Sequence, residues 1–123
     1  MIRKIMVADD ESDLLEMTLL RLKKTGYDAF GAEDGREALE LARQLLPDLI
    51  ILDIYLPFIE GDELAKIFKK DEKLKNIPII LISATTQSLE KKARECGADG
   101  FFLKPFDPAD LVAMIRKFVP DGA

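Results

Sequence analysis

A chain of 123 residues has the size of one domain and can bury a core without metals or crosslinks, so residues 1–123 are expected to form a single unit. The apolar share of 48% is spread in short runs, none close to the ~20 residues a membrane helix needs, and the N-terminus carries no apolar signal core, so a cytoplasmic location is expected. A net charge of -5 disfavours attraction to phosphate backbones, so no direct nucleic-acid or membrane partner is expected; the absence of histidine removes imidazole bases, imidazole metal ligands and internal phosphohistidine chemistry.

The chain alternates between two periods. The first strand candidate is "IRKIMVA", Ile2–Ala8. A helical stretch follows Glu11, with Leu14, Leu15, Thr18, Leu19 and Leu22 on one face, and ends near Gly26, a natural C-terminal cap. Next comes "YDAFGA", Tyr27–Ala32, then a helix opened by Asp34 and Glu37 in capping-box spacing, with Ala38, Leu41, Ala42 and Leu45 on one stripe and a stop before Pro47. "DLIILD", Asp48–Asp53, is the third strand, followed from about Gly61 by a helix carrying Leu64, Ile67 and Phe68. "IPIILIS", Ile77–Ser83, is the fourth strand, and its helix aligns Leu89, Ala93 and Cys96 before Gly97. Cys96 is the only cysteine; it excludes an internal disulfide and reads as a small buried thiol. "GFFLK", Gly100–Lys104, is the fifth strand, and the last helix takes Asp107 as N-cap and Pro108 as its first residue, aligning Leu111, Ile115 and Phe118.

Strand then helix, five times over, implies an α/β fold: a five-stranded parallel sheet with helices on both faces, doubly wound like flavodoxin. The third and fourth strands are apolar throughout, as expected of central strands covered on both sides. The order 2-1-3-4-5 is the expected one, and ligands in such sheets sit beyond the carboxyl ends of the strands.

Four of the five strand ends carry chemistry: Asp9-Asp10-Glu11, Asp53, Ser83 and Lys104-Pro105. Taken singly, Asp10 could be a helix cap, Ser83 a turn residue and Lys104 a solvated lysine. Asp53 resists a bland reading, because an unpaired carboxylate set in aliphatic surroundings costs several kcal/mol or is forced to protonate. Clustered carboxylates repel unless a cation sits among them, and a few hard oxygen ligands with room for waters suit Mg²⁺. Asp10 and Asp53 would hold it, with Asp9 acting directly or through water and the backbone carbonyl of Tyr55 as a further ligand. Lys104 and the Ser83 hydroxyl on the other side would complete a clamp for a transferring phosphoryl group, with Asp53 as its nucleophile.

With these residues in place the sequence resembles the receiver domain of two-component response regulators over essentially its whole length. The resemblance is carried by the acidic pair Asp9-Asp10, by Asp53 through Pro57 with Gly61 eight residues past Asp53, by Ser83-Ala84, and by Lys104-Pro105-Phe106. It implies that Asp53 is the phosphoacceptor, that Asp9 and Asp10 belong to a Mg²⁺ site, that Lys104 contacts the phosphoryl group, and that the Ser83 hydroxyl moves to meet it. It also implies a cis peptide at Lys104-Pro105 and a switch position at Phe101, where many family members carry Tyr; Phe keeps the ring and loses the hydroxyl. The donor would be a sensor histidine kinase or a histidine phosphotransfer protein. The output partner would bind the face of the fourth helix, fifth strand and fifth helix. Tyr55 and Thr85, each two residues past a site residue, would control how water reaches the acyl phosphate.

The chain would be a signalling switch rather than a conventional enzyme, either standing alone, as in chemotaxis or a phosphorelay, or cut from a longer protein; after the fifth helix only "VPDGA" remains. A phosphatase of the haloacid-dehalogenase type would want a second Asp where Tyr55 stands. A flavodoxin-like cofactor binder would want Ser, Thr and Gly where Asp9-Asp10-Glu11 stands. The remaining alternative is a degenerate receiver acting as a non-phosphorylated scaffold.

Overall fold

The computed structural model describes residues 2–85 and 87–120, so of the closing run "VPDGA" only Val119 and Pro120 fall among the described residues. The chain forms β1 (Lys4–Ala8), α1 (Ser12–Thr25), β2 (Asp28–Ala32), α2 (Gly35–Leu45), β3 (Leu49–Asp53), α3 (Gly61–Lys70), β4 (Ile79–Ser83), α4 (Leu89–Cys96), β5 (Gly100–Leu103) and α5 (Pro108–Phe118). The strands make one sheet in the order β2-β1-β3-β4-β5, and every pairing is parallel.

The pleat sorts the side chains of each central strand between two cores. Met6, Ala8, Ile50, Leu52, Ile79 and Leu81 face α2, α3 and α4, where Ala38, Ala42, Leu64, Phe68, Leu89 and Ala93 meet them. Ile5, Val7, Leu49, Ile51, Ile80 and Ile82 face α1 and α5, against Leu15, Leu22, Leu111, Val112 and Ile115. Both faces are covered, and this is why β1, β3 and β4 read as unbroken aliphatic runs. β5 lies at the edge and alternates instead: Phe101 and Leu103 stay 42% and 40% exposed.

Local signals set the ends of the elements. Gly26 closes α1 in the left-handed region at φ 109, donating its N–H to the carbonyls of Leu22 and Lys23. The Asp34 side chain accepts from the Glu37 N–H at 2.8 Å, but the Glu37 carboxylate accepts from the N–H of Glu33 rather than that of Asp34, so the expected box is displaced by one residue. Asp107 caps α5 by accepting from the Ala109 N–H at 2.9 Å, with Pro108 in the first turn. Leu45, on the expected apolar stripe of α2, is 38% exposed at the helix end. β4 begins at Ile79 rather than Ile77, since Pro78 has no N–H to donate and only its carbonyl joins the sheet, accepting from the Ile50 N–H at 3.0 Å.

Candidate functional site

The parallel register brings the strand ends to one edge. Ala8 pairs with Leu52, Asp53 with Ile82, and Ser83 with Leu103, so Asp9, Asp53, Ser83 and Lys104 emerge side by side where β1, β3, β4 and β5 stop. All four are buried, Asp9 and Ser83 to 1% exposure, Asp53 to 5% and Lys104 to 8%.

Lys104 occupies the middle of this group. Its ammonium donates to Asp53 Oδ2 at 2.6 Å and to Glu11 Oε1 at 2.8 Å, and lies 3.0 Å from Asp9 Oδ2. The other oxygen of Asp53 is also engaged, accepting from the backbone N–H of Tyr55 at 3.1 Å. The peptide bond from Lys104 to Pro105 is cis, as the resemblance implies, and the Lys104 N–H donates to the Ser83 carbonyl at 2.8 Å. One cation serves three carboxylates, and the balance differs from residue to residue. Burial raises the Asp9 carboxyl above its ordinary value, and the hydrogen bonds from Glu11 and Lys104 offset only part of that rise. Burial would lower the Lys104 ammonium, yet the hydrogen bonds to Asp53, Glu11 and Asp9 together hold it above its ordinary value.

Asp10 stands at the exposed rim. It is not the cap of α1: the N-cap is Glu11, whose side chain makes no capping bond and turns to Lys104 instead. Carboxylate oxygens of Asp9, Asp10 and Asp53 lie within 4.8 Å of one another, and among the described residues Asp10 has no hydrogen-bond or ion-pair partner. Three hard oxygen donors converging with a surplus of negative charge over the single lysine fit a divalent cation of the Mg²⁺ type.

The segment leaving β3 is held tightly. Ile54 donates its N–H to the Ile82 carbonyl at 3.0 Å, and Gly61 donates to the Ile54 carbonyl at 2.7 Å. A Cβ on Gly61 would fall 2.2 Å from the Asp53 carbonyl oxygen, so only glycine lets α3 begin this close to the carboxylate's own backbone. On the other side, Gly35 donates to the Pro57 carbonyl at 2.9 Å, and Arg36 stacks 3.7 Å above the ring of Phe58.

Of the residues expected at the site, Asp9, Asp10, Asp53 and Lys104 are brought together, and Ser83 shares their edge. The Ser83 hydroxyl is turned locally, accepting from the Thr85 N–H at 3.1 Å. Phe101 is not at this edge; it pairs with Leu81 in mid-strand and lines an open apolar groove with Leu89, Glu90, Phe102, Leu103 and Met114. Glu11 was not among the expected site residues. The signal for it was its place in the same acidic run, but its contact with Lys104 depends on how α1 leaves β1.

A doubly wound sheet whose strands end in an acidic cluster around Lys104 defines an α/β domain with a charged, partly buried site at the carboxyl edge of its sheet. The chain belongs to the response regulator receiver domain family of two-component systems, whose pattern matches residues 5–116. It is 36% identical over 115 residues to the DNA-binding response regulator MtrA of Mycolicibacterium paratuberculosis, covering 93% of this chain and 50% of that protein. It is likewise 36% identical over 118 residues to the alkaline phosphatase synthesis transcriptional regulatory protein PhoP of Bacillus subtilis, covering 95% and 48%. The structure superposes on the chemotaxis response regulator CheY4 of Vibrio cholerae with a TM-score of 0.90 at 29% identity, covering 97% of this chain and 100% of that one. The chain spans about half the length of the curated relatives it matches. Since MtrA is named as DNA-binding, the charge argument against nucleic acid reaches no further than these 123 residues. No described helix is long and apolar enough to cross a membrane.

Proposed function

We propose that residues 1–123 act as one phosphoacceptor domain, with Asp53 the residue phosphorylated. The observation that carries this reading is the Lys104 ammonium placed 2.6 Å from Asp53 and 3.0 Å from Asp9 at the carboxyl edge of the sheet. A cation fixed beside a buried carboxylate is suited to hold the oxygens of an incoming phosphoryl group. Residues 1–123 contain no histidine, so a phosphohistidine donor lies outside them, and membership in the receiver family points to a sensor histidine kinase or a histidine phosphotransfer protein. A carboxylate oxygen of Asp53 attacks phosphorus, the phosphorus–nitrogen bond breaks, and the imidazole leaves with the electron pair. Asp9, Asp10 and Asp53, with the carbonyl of Tyr55, would hold Mg²⁺. When bound, that ion supplies positive charge against the carboxylates and the charge developing on the phosphoryl oxygens. Later attack by water returns Asp53 to its carboxylate, so the domain is a switch that catalyses only its own modification.

The phosphoryl oxygens would draw the Ser83 hydroxyl away from the Thr85 N–H, and this shift of the β4–α4 segment would pass to Phe101 and the α4-β5-α5 face, where the apolar groove offers an output partner its contact. The domain is read as cytoplasmic and without direct nucleic-acid contact of its own. Asp53, Ser83 and Lys104 are all present and converge on one edge, which argues against a non-phosphorylated scaffold. Beryllofluoride with Mg²⁺ tests the reading by NMR. Amide signals of Ser83, Thr85 and Phe101 should shift in the wild type and stay in place in Asp53→Asn; an unresponsive wild type would overturn it.

A further inference from the structure

We propose that Arg36 of α2 is a positioning residue: by stacking on Phe58 it holds a strained turn between β3 and α3 and so presets the Tyr55 carbonyl for Mg²⁺. The inference rests on the reading of Asp9, Asp10, Asp53 and that carbonyl as the Mg²⁺ site. Phe58 sits at φ 70, in the left-handed region that a bulky side chain rarely adopts, and it is 68% exposed, so neither backbone preference nor burial keeps it there. Two contacts from α2 do. The Pro57 carbonyl accepts from the Ile59 N–H at 2.8 Å, closing a three-residue turn around Phe58, and also from the Gly35 N–H at 2.9 Å, which docks the turn on the first residue of the helix. The Arg36 guanidinium then lies 3.7 Å from the centroid of the Phe58 ring, well inside the roughly 6 Å over which a cation is attracted to an aromatic face. Among the described residues Arg36 forms no ion pair, which leaves its charge to the ring.

The turn is the tip of a closed segment. Gly61 donates to the Ile54 carbonyl at 2.7 Å and the Tyr55 N–H donates to Asp53 Oδ1 at 3.1 Å, so the root of the segment is fixed at the carboxyl edge of the sheet. Its tip is tied to α2, and helix and turn meet backbone to backbone, since a Cβ on Gly35 would fall 2.2 Å from the Ile59 carbonyl oxygen. The Tyr55 carbonyl stands between root and tip, so its direction follows where the tip is held. Without the stack, Phe58 relaxes toward negative φ, the tip shifts on α2, and Mg²⁺ must reorder the carbonyl in order to bind. The strength of an exposed cation–π contact corresponds to about a two- to fivefold change in affinity.

Isothermal titration calorimetry of the full chain with Mg²⁺ tests this. Arg36→Ala and Phe58→Ala should each weaken Mg²⁺ binding about two- to fivefold, and the double variant should bind no more weakly than either alone. Phe58→Tyr, which keeps the ring, should bind as the wild type does. Phe58→Gly should also stay within about twofold of the wild type, because glycine takes positive φ without a side chain to hold it, and Arg36→Ala should have no effect in that background. Wild-type affinity in Arg36→Ala, with or without a lowered melting temperature, overturns the inference, as does an equal loss from Arg36→Ala in the Phe58→Gly background; either result leaves the Mg²⁺ site in place. Failure of the wild type itself to bind Mg²⁺ overturns the underlying reading and the inference together.

Discussion

At the scale of single residues, Lys104 carries the charge balance of the site. Its side chain is buried among Asp9, Glu11 and Asp53, and removing it leaves carboxylates facing one another with no protein cation between them. Lys104→Met should therefore lose about 3 kcal/mol in urea unfolding without Mg²⁺, the size expected when one partner of a buried ion pair is removed. Because the folded-state value of Lys104 is raised, the stability it contributes is fully present below its ordinary value of 10.5 and is lost as pH climbs through the folded value. The gap between wild type and Lys104→Met should thus hold steady from about pH 7 to about pH 10 and close above that; a gap that closes near neutrality would contradict the pairing. Asp10 supplies the complementary test. Mg²⁺ at a hundredfold excess over its dissociation constant should add about 2.7 kcal/mol to wild-type stability, and Asp10→Asn should lose most of that gain in a thermal shift measurement. Asp53 was legible from the sequence because a carboxylate among aliphatic residues needs partners. Glu11 was not, because an exposed acid at the start of a helix is ordinary until the fold turns it toward Lys104.

At the scale of elements, the two covered faces of the sheet explain both what could be read and what could not. β3 and β4 announce themselves as unbroken aliphatic runs since Ile50 and Leu52 face one core while Leu49 and Ile51 face the other. Ends were less legible, as the starts of β4 at Ile79 and of β1 at Lys4 depend on which backbone groups find a neighbouring strand. The displaced cap at Glu33 shows the same limit, because spacing names the side chains and only the path of the chain decides which N–H is within reach. The entry of α3 carries a prediction. Gly61→Ala would place a methyl 2.2 Å from the Asp53 carbonyl oxygen, and neither backbone can yield without moving the carboxylate. It should cost about 1–3 kcal/mol of stability and also slow phosphorylation from acetyl phosphate; full stability with an unchanged rate would show that the close approach is not needed.

At the scale of the whole molecule, the doubly wound order does what no single element can: it sets β1, β3, β4 and β5 side by side so that residues from four separate stretches of sequence converge at one edge. That convergence was legible once the alternation of strand and helix fixed the topology, because the switch point of such a sheet is known in advance. The reach of Lys104 across to Asp9 and Glu11, and the stack of Arg36 on Phe58, were not legible, since both join segments whose separation only the packed helices determine. The central claim is that this edge exists to phosphorylate Asp53. Intact mass spectrometry of the protein after incubation with acetyl phosphate tests it directly. One added phosphoryl group, dependent on Mg²⁺ and lost in Asp53→Asn, is the predicted result; an unmodified wild type, or a phosphoryl group retained in Asp53→Asn, would contradict it.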